Sequence, residues 1–291
     1  MPSRARRGAS RRAGSSSRCR WCRRQPRHPR RVLAMSTVDD SRIRRLSAWY
    51  QPVVDLNTGR VAGFEVLSRL VAADGAAASA GRLMEELERE PEAQYALIRQ
   101  LLSAVRSDIV PLFERRPEFY VSVNIPPSVL GTGRLGEIVQ DLGLERWVTR
   151  LVVELTERQA LSDIGRAGID IARSLGISVA LDDFGTGHSG LSQFVGLDLD
   201  MLKIDRSLLL PILENRAAAR MLRGIVGLAA ALRLRTVAEG VESWEQAFFL
   251  RAAGVDQGQG FFWSKAVPAR EVEALLDRGF AGTLLPPPPA R

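Results

Sequence analysis

Six short apolar runs in this chain each end in a polar residue suited to a metal ion or a phosphate. They are VAGFE ending at Glu65, FYVSVN at Asn124, RLVVE at Glu154, SVALDD at Asp182 and Asp183, DMLKID with Lys203 and Asp205, and RTVAE at Glu239. A continuous apolar run of this length reads as a strand buried on both faces. A carboxylate at the end of such a strand is costly unless it meets a cation or another partner. Repeated at the same end of successive strands, these groups converge on one site. The pattern predicts an oxygen-ligand metal centre on a parallel α/β barrel of the TIM-like (β/α)8 kind, whose sites lie at the C-terminal ends of the strands.

The rest of the chain alternates in a way that supports a barrel. Strands are expected over 49–55, 61–67, 119–124, 151–155, 177–182, 201–205, 235–239 and 255–262. Amphipathic helices are expected over 92–107, 134–142, 162–175, 214–232, 243–252 and 269–278. Strands alternating with helices imply βαβ units and a parallel sheet, and eight strands suggest closure. Residues 72–81 (AADGAAASAG) read as a low-complexity loop on the same face as Glu65. Residues 41–280 form the expected domain, and the Pro-rich tail 281–291 is expected to be extended or loose.

The formal charge of +8 over 291 residues misleads, because residues 1–34 contain twelve Arg and no acid. The remaining 257 residues carry 29 basic and 33 acidic side chains, a net of −4. A general nucleic-acid-binding surface is therefore not expected on the domain. Residues 1–40 are too poor in large aliphatics to offset chain entropy and are expected to form a disordered basic leader. Met35 is an alternative start, and the leader is otherwise a basic arm able to touch nucleic acid or acidic lipid. Cys19 and Cys22 have clip spacing but no second pair, so chance spacing is favoured.

Those two are the only cysteines, and His188 is the only histidine after residue 34. A thiolate or multi-histidine site is excluded from the domain, and the lack of cysteine fits a reducing, cytoplasmic setting. A metal site must use carboxylate and amide oxygens, which favours Mg²⁺ or Mn²⁺. Adjacent Asp182 and Asp183 allow one carboxylate to bridge two ions while its neighbour serves one. Gly185, Thr186 and Gly187 then permit a tight loop that repositions Asp183. No stretch reaches the roughly 18 apolar residues of a membrane helix, and residues 1–34 lack the apolar core of a secretory signal.

At this point the chain resembles a known family. The segments QPVVDLNTGRVAGFEVLSR, VNIPP, VELTE, LDDFGTG, LKIDRSLL, VAEGVES and GVDQGQGFF occur in the order found in EAL-domain phosphodiesterases, which hydrolyse cyclic di-GMP. Together they are far more specific than any one alone. The resemblance implies that Glu65, Asn124, Glu154 and Asp182 ligate one metal, and that Asp183 and Glu239 serve a second. It implies that Lys203 holds the attacking water and that Gln51, Arg69 and Gln259 meet substrate. Glu157 matches the acid that anchors the DDFGTG loop and is grouped with Lys203 and Glu65 in catalysis. Glu242 and Asp205 are expected behind the ligands. The implied reaction is hydrolysis of cyclic di-GMP to linear pGpG with two Mg²⁺ or Mn²⁺ ions.

The chain departs from the family pattern at Val66, His188, Gly190 and Ala266, none of them an expected ligand. The family's Pro-x-x-Phe after the second strand is replaced by the Ala-rich segment. Three rival readings remain: a catalytically weak receptor for cyclic di-GMP, a signalling adaptor that uses the basic leader, and a metal-dependent hydrolase with another substrate. The filled ligand set favours the enzyme. No sensory or cyclase domain fits in residues 1–45, so regulation is expected through oligomerisation, partners or substrate supply. A homodimer with an interface near 206–225 is expected from the resemblance and from apolar positions in excess of one core-facing stripe.

Overall fold

The structure is a computed structural model, and it describes residues 41–71, 77–186 and 196–284. The expectations for the basic leader, Cys19, Cys22, Met35, His188, Gly190 and the final prolines lie outside the described residues.

Among the described residues, nine strands form one sheet: β1 (Leu46–Asp55), β2 (Val61–Val71), β3 (Ala77–Ser79), β4 (Tyr120–Asn124), β5 (Leu151–Thr156), β6 (Ser178–Phe184), β7 (Met201–Ile204), β8 (Arg235–Ala238) and β9 (Gln257–Gln259). Eight of them close in the order β1-β9-β8-β7-β6-β5-β4-β2, and β2 also pairs with β1. The barrel is therefore complete, and β3 is a short strand added to the far end of β2.

Two features differ from expectation. The barrel is not wholly parallel, because β1 runs antiparallel to both neighbours. The physical reason is the link from Asp55 to Val61, which is far too short for a parallel crossover. Asp55 instead closes a turn, its Oδ1 accepting from the backbone N–H of Asn57 and of Thr58 at 3.0 and 2.7 Å. The expected loop 72–81 also contains structure: Ala77–Ser79 pairs with Arg69–Val71, and a helix begins at Gly81.

Helices lie where periodicity placed them. The main ones are Pro91–Ala104, Asp163–Leu175, Arg216–Ala231, Trp244–Ala252 and Ala269–Arg278. Side-chain caps start several of them. Ser162 accepts from Gly165, Asn215 from Ala217 and Ala218, and Ser243 from Gln246. Each supplies a partner for backbone N–H groups that the first turn leaves open.

Strand alternation then divides the side chains into two sets. Phe64, Val66, Val121, Val123, Val153, Leu155, Leu181, Leu202 and Ile204 belong to the main apolar core between sheet and helices. The opposite set faces the barrel axis. Its lower part is a small apolar plug of Val152, Ala180 and Met201 against Tyr120. The Tyr120 hydroxyl donates to Gln257 Oε1 at 2.8 Å. Gly63 on β2 makes room for that ring, since a Cβ there would lie 2.6 Å from it. Above the plug the same face carries Glu65, Asn124, Glu154, Asp182, Lys203 and Gln259 along their registered strands.

Candidate metal centre

Lys203 stands at the middle of the site with 3% of its side chain exposed. Its Nζ lies 2.7 Å from Glu239 Oε1, 2.8 Å from Glu154 Oε2, 3.0 Å from Asp182 Oδ1 and 3.7 Å from Glu65 Oε2. Burial pulls the Lys203 ammonium toward neutrality, but Glu154, Glu239, Glu65 and Asp182 overcome this and hold its pKa well above the usual lysine range. It remains a cation at neutral pH.

The pKa values of the acids also rise, which for a carboxylate favours the neutral form. Burial pushes Glu154 well above the usual carboxylate range, against the pull of Lys203. Burial likewise raises Glu239 to about 8, with Lys203 opposing and Asp182 reinforcing. Asp183 is raised by its own burial and then by Asp182. Five carboxylates thus share one ammonium, a charge imbalance that added cations would relieve.

Asp182 and Asp183 would point to opposite faces of a regular strand. The β6–β7 ladder prevents this by slipping one residue between Leu181 and Phe184. Asp183 occupies the left-handed region at φ +56, which is rare for a residue with a side chain. This bulge brings a carboxylate oxygen from each of Asp182, Asp183 and Glu239 within 4.8 Å of one another. Asp182 Oδ1 is buried and, despite its 3.0 Å approach to Lys203, makes no aligned hydrogen bond among the described residues. A buried carboxylate oxygen without such a partner, in a cluster of hard oxygen donors, fits a divalent cation such as Mg²⁺ or Mn²⁺.

The remaining expected residues take different places. Asn124 Nδ2 donates to Glu65 Oε1 and Glu154 Oε2, both at 3.1 Å, so its amide nitrogen rather than its oxygen faces the acids in this structure. Gln259 Nε2 donates to Glu65 Oε2 at 2.7 Å, leaving its buried Oε1 free of a partner among the described residues. Gln51 lines the same cavity and donates to the Ser264 carbonyl at 3.3 Å. Glu157 is buried and accepts the Gly185 N–H at 3.0 Å, acting on the loop backbone and not on the cavity. Asp205 caps the turn Arg206–Leu209 by accepting from Ser207 at 2.8 Å. Arg69 stands apart. It lines an adjoining cavity of about 330 Å³ with Asn124, Glu154, Gln94 and Gln159, because β2 runs four residues beyond Glu65 before reaching it.

The cavity over the acids is about 310 Å³. Its lining includes three groups not expected from the sequence to touch a ligand: Arg206, Phe261 and, beside them, Glu242. Arg206 Nη2 lies 2.8 Å from Glu242 Oε1. Adjacency to the LKID and GQG segments was the available signal for Arg206 and Phe261.

Residues 37–266 match the family model described as the EAL domain. The chain belongs to the EAL-domain family. It is 32% identical over 231 residues to the probable cyclic di-GMP phosphodiesterase PdeB of Escherichia coli K12, covering 78% of this chain and 44% of that one. Among solved structures, the PaMucR phosphodiesterase in complex with c-di-GMP superposes with a TM-score of 0.71 at 27% identity, covering 79% of this chain and 94% of the other. The EAL domain of Mycobacterium smegmatis DcpA superposes with a TM-score of 0.64 at 29% identity, covering 81% and 97%. This EAL chain spans less than half the length of curated relatives such as PdeB. Among the described residues, no helix is long and apolar enough to cross a membrane.

Proposed function

We propose that this EAL domain is a metal-dependent phosphodiesterase that opens cyclic di-GMP to linear pGpG. The observation that carries the reading is the convergence of Glu65, Asn124, Glu154, Asp182 and Glu239 around the buried Lys203, with Asp183 turned toward them by the β6 bulge. Relatives named as cyclic di-GMP phosphodiesterases support the substrate.

The donor set divides naturally in two. Asp182, Asp183 and Glu239 would hold one divalent ion, and Glu65, Asn124 and Glu154, with Asp182 shared, would hold another. Two such ions, when bound, lower the pKa of a water and neutralise charge on a phosphate undergoing in-line displacement. For Asn124 to serve, its amide would have to present oxygen, a rotation of the terminal amide alone. Lys203, held cationic by its acids, would orient an attacking water or hydroxide through its ammonium protons. Gln259 Oε1 would accept from substrate at the cavity wall, and Gln51 would line it. Glu157 would keep Asp183 in place through Gly185. Arg69, in the adjoining cavity, would meet the more distant half of the dinucleotide.

We assign the reaction to the cytoplasm and to a homodimer. Leu210, Leu213 and Met221 are each about half exposed in the stretch 206–225, which is what an apolar contact between copies requires.

The test is incubation of purified protein with cyclic di-GMP and Mg²⁺ or Mn²⁺, with products separated by chromatography. Accumulation of pGpG is expected. Tight binding without turnover would replace the enzyme with a receptor.

A further inference from the structure

The strand pairing leaves a gap beside β2. β4 stays with β2 only as far as the Val66–Val123 pair, because β4 ends at Asn124 and Pro126 soon follows without an N–H to pair. β1 occupies the other edge of β2 through Leu70, so β3 must take the β4 edge, and it reaches back only to Arg69. Among the described residues, Leu67 and Ser68 therefore have no strand partner on that side. Both line the cavity of about 330 Å³ that adjoins the metal centre. We propose that this cavity binds a medium-chain carboxylate, with the alkyl chain against its apolar wall and the carboxylate on Arg69.

The first argument is the wall. Met84 and Leu87 from the helix Gly81–Leu87, with Leu97, Ile98 and Leu101 from Pro91–Ala104, form its apolar side. Leu87, Leu97, Ile98 and Leu101 are each no more than 4% exposed, yet they border a cavity. Protein interiors hold few voids larger than a water molecule. An apolar cavity of about 150 Å³ stays dry and takes up a hydrocarbon such as benzene, and this one is larger. Ala80, from the Ala-rich segment that replaces the family's Pro-x-x-Phe, brings only a methyl group to the lining. The bulk that would fill the space is missing from this chain.

The second argument is the charge of the head group. Arg69 shares the lining with Thr156 and Gln159, and among the described residues it has no carboxylate within ion-pair distance. The two acids of the same cavity are otherwise engaged. Glu154 is held by Lys203 at 2.8 Å, and Glu88 is exposed to solvent. A guanidinium without a carboxylate selects an anion, and the two oxygens of a carboxylate match its fork.

The third argument is length. Val66 and Arg69 both line the cavity, and along β2 they stand roughly 10 Å apart at the usual rise of a strand. At the reach per bond of an extended chain, that distance takes about eight carbons. A shorter acid leaves part of the wall uncovered, and a much longer one must leave the cavity. The chain supplies affinity in proportion to the apolar surface it covers, and Arg69 supplies the choice of head group.

The experiment is calorimetric titration of the full chain with straight-chain carboxylates below their micelle-forming concentrations. From hexanoate to octanoate, affinity should rise about 4-fold per added carbon, which is the ~0.8 kcal/mol of a buried methylene. It should level off at longer chains. Affinity that keeps climbing to dodecanoate marks partition onto an apolar surface and overturns the site, as does the absence of octanoate binding. Octanol on wild type, and octanoate on R69A, should each bind about 10-fold more weakly or worse, the effect of losing a charged hydrogen-bond partner. M84W and I98F, which fill the apolar wall, should abolish octanoate binding while circular dichroism shows the fold retained. Wild-type affinity in either folded variant would overturn the site. One further arm rests on the phosphodiesterase reading, which gives Arg69 to the distant half of the dinucleotide: octanoate should raise KM for cyclic di-GMP and leave kcat unchanged. Octanoate that binds without raising KM would overturn the placement of its head on Arg69. A protein that binds octanoate by these criteria but does not hydrolyse cyclic di-GMP would overturn the phosphodiesterase reading and support the carboxylate site.

Discussion

Glu157 holds Asp183 at second hand. Its Oε1 accepts the N–H of Gly185 at 3.0 Å, two residues past the strained aspartate, while its Oε2 is buried without a hydrogen-bond partner among the described residues. A Cβ at Gly185 would overlap Leu208, so the turn is pinned from the other side as well. Removing the carboxylate should free the turn and let Asp183 leave its left-handed conformation, which costs of order 1–3 kcal/mol to maintain. Glu157→Ala should lower turnover about 10- to 100-fold, in line with the loss of an outer-shell support. It should also raise the Mn²⁺ concentration needed for half-maximal rate. A variant with wild-type metal dependence would show that Asp183 holds itself.

Lys203 should be needed for folding stability as well as for chemistry. Lys203→Met leaves Glu154, Asp182 and Glu239 buried without their ammonium. Breaking such a cluster from one side costs about 3–5 kcal/mol. Urea denaturation of chelator-treated protein should show that loss, with part of it recovered on adding Mn²⁺. Hydrolysis should not recover.

Glu239 sets a pH dependence with a definite sign. Its folded pKa, about 8, stands above the value of a free glutamate. The folded state therefore binds the proton more tightly, and the stability this contributes is present at acid pH and is lost as pH rises through about 8. Chelator-treated protein should lose thermal stability between about pH 5 and pH 9. Saturating Mn²⁺ should flatten the curve, because a bound cation replaces the proton. Glu239→Gln should flatten it without metal, and an unchanged slope in that variant would assign the effect to another group.

Calcium should inhibit turnover without preventing metal binding. It accepts the same oxygens in larger, looser shells than Mg²⁺. Rates measured in mixed Mg²⁺ and Ca²⁺ should fall as Ca²⁺ rises, and comparable turnover in Ca²⁺ alone would count against two-ion catalysis.

Gly63 tests the barrel interior. A methyl at this position meets the Tyr120 ring, which is held by Gln257. Gly63→Ala should cost about 1–3 kcal/mol through overpacking. The loss should appear in the urea midpoint, with the metal requirement of the folded protein unaltered.

The strands that carry acids were readable because burial on both faces leaves an apolar run that stops abruptly at Glu65, Glu154 or Glu239. The helices were readable from their 3.6-residue period. What escaped was geometry made by pairing. The direction of β1 depends on the length of the link after Asp55, not on the pattern of β1 itself. β3 is three residues of an alanine-rich stretch with no strand signature, and it exists because β2 offers it an edge. The adjacent aspartates pointed to a metal site, but the bulge that turns Asp183 inward appears only in the ladder with β7. Arg69 stands on the same strand face as Glu65 and Leu67, yet four residues of extended chain carry it into the next cavity. Arg206 and Glu242 are 36 positions apart, and nothing local in either segment announces that they touch.

The reversed first strand has a consequence for how an EAL domain is wired into longer chains. Leu46 pairs with Leu70, beyond Glu65 on β2, so the polypeptide enters the barrel at the carboxylate end. It leaves at the opposite end, where the Phe280 N–H meets the Gly59 carbonyl in the turn between β1 and β2. A module spliced in ahead of Leu46 would therefore pull directly on the rim that carries the acids. The same module spliced in after residue 284 would be anchored at the far pole, with the whole barrel between it and the chemistry.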